Sequence, residues 1–179
     1  MAFDMGFSRA SLTSPIAQTG LYELQVNGFR PKLTKKGDGV NYNVETTIVN
    51  NQGFTANGAP LEGIKVFHPL STKFSIAIWD FVHACGLEME EVLVPGDAQT
   101  DQHTTLVLPG VWEGAAANPE DPSQWGEYKG PLLNVIFKAD VIESSFNGKP
   151  KNEIRAFLCA LDGCAEKYPD VKHSNNLCK

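Results

Sequence analysis

The chain has 179 residues (19.5 kDa), a formal charge of −6 and a sequence pI near 5.2. That length suits one domain with room for a core that needs no disulfide staples. The acidic balance excludes a protein that coats duplex DNA by overall charge, and no apolar run reaches the length that crosses a bilayer.

Residues 1–19 are rich in Ser, Thr and Gly and read as a loosely held arm, with no basic stretch leading into the apolar run of a secretory signal. Four cysteines in an unsecreted chain read as reduced thiols, so a cytoplasmic setting is expected. Residues 20–49 then alternate with a period of two. Tyr22, Leu24 and Val26 share one face of a first strand, while Val40, Tyr42, Val44 and Ile48 share one face of a second. Between them lies a turn with Arg30, Lys32, Lys35, Lys36, Gly37 and Gly39. Turn residues at 50–60 precede a third predicted strand at 61–67.

The spacing of Phe74, Ile78, Phe81, Val82 and Cys85 predicts a helix over 71–87, capped by Ser71 or Thr72 and ended by Gly86. From 88 to 130 the periodicity breaks down among Pro, Gly and acidic residues, which reads as a long insertion. Alternation resumes at 132–142, where Leu133, Val135, Phe137, Ala139 and Val141 share a face. The Asn147-Gly148 pair in the turn at 144–152 signals a hairpin into a last strand at 153–159, with Ile154, Ala156 and Leu158 inward. A polar tail occupies 160–179.

Five strands with one helix between the third and fourth give a mainly β chain in the order of an OB-fold barrel, here one domain over 1–179. A β-sandwich would need more strands and a parallel α/β fold more helices. Specific residues add to that order. Gly20, Leu21 and Tyr22 open a hairpin with a basic, glycine-bearing turn, and the helix ends in Ala84-Cys85-Gly86-Leu87. Asn147-Gly148-Lys149 is followed by Asn152-Glu153-Ile154-Arg155 and Phe157. Over residues 20–87 and 131–158 this resembles the small OB-fold single-stranded DNA-binding proteins of bacteriophages. The chain departs from them in the length of 88–130 and in ending HSNNLCK in place of an acidic tail.

Binding single-stranded nucleic acid takes cations along the phosphates and flat rings under the bases. In an OB fold the binding face is the outward side of the second and third strands, between the loops that join strands one to two and four to five. The alternation projects Phe29, Asn41, Asn43, Lys65, Phe67, Lys138, Arg155 and Phe157 outward. The two loops add Arg30, Lys32, Lys35 and Lys36, then Phe146, Lys149 and Lys151. Each has an ordinary counterpart. Turn lysines blunt edge strands, Phe29 rotates inward if Gly28 forms a bulge, and Phe67 and Phe157 could pack under the helix or insertion. Trp79 reads as core, and Trp112, Trp125 and Tyr128 either close over the groove, make a subunit contact or anchor the insertion, with anchoring favoured for Trp112.

Cys159, Cys164, His173 and Cys178 are residue types that zinc accepts, but their spacing matches no standard knuckle. Asp97, Asp101 and His103 read as a solvated acidic loop. No nucleophile elbow, P-loop, dinucleotide fingerprint or HExxH is present, so no enzyme activity and no cofactor are expected. The expected function is single-stranded DNA binding without strong sequence preference, in phage replication or recombination in the host cytoplasm. The alternative is an OB-fold module that docks on a replication or host enzyme through 88–130.

Overall fold

The computed structural model describes residues 14–94, 103–119 and 121–160. Its centre is a five-stranded antiparallel sheet. The first hairpin pairs β1 (Gly20–Leu33) with β2 (Val40–Val49). Gly37, at φ 69°, turns the connection, and Thr34 N–H donates to Gly39 O at 3.0 Å. Lys73 reaches Asp38 at 2.6 Å and Val40 N–H donates to the Thr72 hydroxyl at 3.0 Å, which ties this turn to the segment after the third strand.

The alternation in β1 holds from Tyr22 to Val26 and then slips. Val26 lies opposite Thr46 and Gly28 opposite Glu45, so Asn27 is an extra residue. A single-residue bulge exchanges the two faces of everything that follows. Phe29 therefore points into the core, only 3% exposed, where the uninterrupted period projects it outward.

The third strand, β3 (Lys65–Ser71), begins four residues later than the predicted 61–67. Leu61 and Ile64 are buried in a turn ahead of the strand, in which Ile64 N–H donates to Leu61 O and Gly63 takes φ 91°. The strand runs through Pro69, whose missing N–H is harmless on a sheet edge.

A 3₁₀ turn at Thr72–Phe74 is capped by the Ser71 hydroxyl, which accepts from Lys73 N–H, and leads into helix α1 (Ser75–Ala84). The helix ends in a Schellman motif, with Leu87 N–H donating to Val82 O and Gly86 N–H to His83 O while Gly86 sits at φ 73°. All seven residues from Ile78 to Ala84 are buried, because the sheet covers one side of α1 and other parts of the chain cover the rest. Phe74, part of the predicted stripe, lies at the bend before α1 and is 69% exposed.

The stretch 88–130 holds more regular structure than its sequence suggests. It contains a hairpin of β4 (Glu90–Val94) and β5 (His103–Val107), and a short pair of β6 (Val111–Trp112) and β7 (Tyr128–Lys129). Trp112 anchors it. Its indole N–H donates to Phe29 O at 3.1 Å, and its ring stacks on Phe29 and Tyr42 with centroids 5.5 and 5.3 Å away.

The last hairpin pairs β8 (Ile136–Phe146) with β9 (Lys149–Phe157) through Asn147 and Gly148, both at positive φ, the two-residue turn that Asn-Gly predicts. A second bulge makes Arg155 an extra residue in β9, and the strand ends with Ala156 and Phe157 both buried. Phe157, projected outward by alternation, instead packs against His68, Phe81 and Phe137. Buried Asn152 exchanges two hydrogen bonds with the backbone of Ala17, so the arm is fixed at least from that residue.

The sheet order is β3-β2-β1-β8-β9. The sheet is open, since its edge strands β3 and β9 are not paired with each other. They do come together through side chains, His68 and Phe157 meeting edge-to-face at 5.3 Å. Phe81 fills the space the sheet curves around, touching Phe29, Phe137 and Phe157.

Candidate nucleic-acid interface

The outward face of the sheet is built by register. Arg30 lies opposite Asn43, and Asn43 opposite Pro69. The next row is Gly28, Glu45 and Phe67, and the one after it Gln25, Thr47 and Lys65. Lys32, opposite Asn41, continues the face toward the basic turn, where Lys35 and Lys36 are exposed. Phe67 is 54% exposed. An aromatic ring left in water at the middle of a paired strand, with Lys65 two residues away and Glu45 opposite it, is the part of this face that asks for a ligand.

Charge on the face is mixed. Arg30 pairs with Glu45 at 3.5 Å, yet its side chain is 77% exposed and displays its remaining donors to solvent. Lys138 stands 4.0 Å from Glu23 across β1 and β8. Arg155 is bound to Asp140, and Lys151 to Glu153, whose carboxyl this contact holds below the usual range. Lys32, Lys35, Lys36, Lys65 and Lys149 make no ion pair with any described residue. These five are the cations that phosphates could engage without first displacing a carboxylate.

The two basic turns do not sit side by side. β8 pairs with β1 only from Gly20–Val141 to Gln25–Ile136, and then runs on past Gly20 to Phe146. The turn holding Lys35 and Lys36 follows the other end of β1. A 14-residue strand measures roughly 45 Å when straight, so the turns flank the face from opposite ends. At the far turn Phe146 is 65% exposed and Lys151 lies 5.4 Å from its ring centre, a cation–π pair on the strand ends themselves.

Of the sequence-predicted residues, Arg30, Lys32, Asn43, Lys65 and Phe67 thus share one surface, with Lys35 and Lys36 at its end and Lys138 on its β8 flank. Phe146, Lys149 and Lys151 mark the opposite end, and Arg155 lies on the edge strand β9. Phe29 and Phe157 are withdrawn into the core and leave the face. Phe74 was hidden by its fit to a helical stripe. It is exposed beside Lys73, the residue that grips the basic turn. Leu21 and Ile136, 65% and 47% exposed, add an apolar margin next to Lys138.

Among the described residues no three His, Cys, Asp or Glu side chains gather as a metal set. Cys159 is half-buried; Cys164, His173 and Cys178, like Asp97 and Asp101, lie outside the described residues. Cys85 is buried in apolar surroundings that push its thiol up to about 12, which keeps it protonated and unreactive. No described helix is long and apolar enough to cross a membrane.

Comparison of the chain with protein-family models and with curated proteins finds no match to either.

Proposed function

We propose that this protein binds single-stranded DNA along the outward face of β1, β2 and β3, as a phage-type protein acting on replication or recombination intermediates in a host cytoplasm. The observation that carries the reading is Phe67, a half-exposed ring midway along edge strand β3, two residues from Lys65 and on the same face as Arg30, Lys32 and the Lys35–Lys36 turn. The open five-stranded sheet, with a helix after its third strand, supports reading the fold as an OB barrel whose seam is the β3–β9 edge. Stacking on Phe67 and phosphate contacts from lysines are both tolerant of sequence, so binding is expected without strong base preference.

Duplex DNA is disfavoured on this face. Its bases are stacked away from Phe67, and Glu23 and Glu45 sit among the cations. Fluorescence anisotropy with labelled oligo-dT and a matching duplex tests the reading. The expected result is saturable binding to oligo-dT that weakens with salt, and much weaker binding to duplex. Equal affinity for the two, or none for either, overturns it.

Phe67→Ala should weaken oligo-dT binding by about 1–3 kcal/mol, roughly 5- to 150-fold, without lowering the salt slope. Lys35→Ala with Lys36→Ala should instead shallow that slope by about 1.4, taking about 0.7 per phosphate contact. An unchanged slope would remove the turn from the interface.

A further inference from the structure

A cavity of about 750 Å³ opens on the other side of the sheet, between β2, α1 and the residues that flank β5. Tyr42 lines it, and Tyr42 alternates with outward Asn43 on β2, so the cavity and the outward face are on opposite surfaces. Its walls are apolar: Ile76, Ile78 and Trp79 from α1, then Leu108 and Trp112. Thr72, Ser75 and Glu90 also line it and are exposed, which places them at the mouth. Among the described residues no Lys or Arg lines it, and Lys73, next to Thr72, is held by Asp38.

We propose that this cavity is a docking site for a partner protein, receiving one large apolar side chain from a segment that carries Lys or Arg beside it. The volume admits a large apolar side chain with room for its neighbours, and the aromatic walls suit such an anchor, which in such pockets supplies most of the binding energy. The charge of the mouth selects the occupant. Glu90 favours a basic flank and repels phosphates, so the cavity is not a continuation of the cationic face. Because the two surfaces are opposed, a partner can be held while the other face is engaged. This does not depend on what binds the outward face.

The test uses the full chain and three nine-residue peptides: Gly-Arg-Lys-Gly-Phe-Gly-Lys-Arg-Gly, the same peptide with Gly for Phe, and the same peptide with Glu at all four basic positions. The readout is the indole N–H resonances of Trp79 and Trp112, since both rings line the cavity. The first peptide should shift them saturably and the other two should bind at least threefold more weakly. Ile76→Glu, at a half-buried lining position, should weaken the first peptide at least tenfold while leaving resonances away from the cavity unchanged. Glu90→Lys, at the mouth, should weaken it at least threefold. No saturable shift, or an equal shift from the glycine peptide or the glutamate peptide, overturns the proposal. Self-association that Ile76→Glu abolishes would assign the cavity to a second copy of this chain and overturns it as well.

Discussion

Phe81→Ala is expected to destabilise the fold by about 3–5 kcal/mol, the range for removing a large buried ring. Phe81 has no exposed surface, and its ring meets Phe29 at 5.9 Å, Phe137 at 5.5 Å and Phe157 at 5.6 Å. Those three rings come from β1, β8 and β9, so one truncation opens a cavity against three strands at once. Domains of this size are stable by only about 5–15 kcal/mol, so the loss is a large share of the whole. Urea unfolding measures it. Phe74→Ala is the control: with its ring 69% exposed, it should change stability by less than about 0.5 kcal/mol. Equal shifts for the two variants would show that the core is not centred on Phe81.

Stability should also fall as the solution is acidified from about pH 6.5 toward pH 4, and His68 is the reason. Its imidazole is half-buried at the β3–β9 seam against the Phe157 ring, and burial lowers its pKa to about 4, outweighing the opposite pull of the Glu153 carboxylate. The unfolded chain takes up a proton on this residue near pH 6.5, where the folded one does not. The stabilisation is therefore complete above pH 6.5, declines as pH drops through the interval, and levels off below about 4. A shift of that size corresponds to a loss on the order of 3 kcal/mol. His68→Gln has no such proton to take up. Its urea midpoint, followed from pH 7 to pH 4, should fall less steeply than that of the unaltered protein, and parallel curves would rule His68 out as the source. Asp38, Glu113, Asp121 and Glu153, whose pKa values are lowered chiefly by hydrogen bonds to Lys73, Lys129, Ser123 and Lys151, add their own decline at lower pH in both proteins. The difference between the two curves isolates the histidine.

The strands of the central sheet and the helix were legible because each holds a local period over several residues, even where a bulge later interrupts it. Tyr22–Leu24–Val26 and Phe137–Ala139–Val141 are buried as their alternation predicts, and Gly86 ends the helix in a left-handed conformation as glycine does. The Asn147-Gly148 turn was legible for the same reason, since two positive φ angles are a local demand. The strands inside 88–130 were hidden because β4 and β5 are only five residues each and β6 and β7 two, too short for a period to emerge.

On the candidate face, the lysines and Phe67 lie outward as read, while Phe29 and Phe157 do not. In both strands a bulge intervenes, at Asn27 and at Arg155, and one extra residue exchanges the faces that alternation assigns. Neither bulge has a composition that marks it; Gly28 was the one hint. Which cations remain unpaired was equally out of reach, because Arg30–Glu45, Lys138–Glu23 and Arg155–Asp140 join residues on different strands and exist only at one register.

Short-range periodicity and turn chemistry thus make a mainly β chain, the strands of its central sheet, the helix α1 and a basic turn on an acidic protein readable from the residues alone. Long-range packing sets the rest: the sheet stays open at β3 and β9, the two basic turns stand at opposite ends of it, and an apolar cavity lies behind it. Those features follow from register, from bulges and from the packing of α1 and Trp112 on the sheet, which are contacts between residues distant in the chain and leave no periodic trace in it.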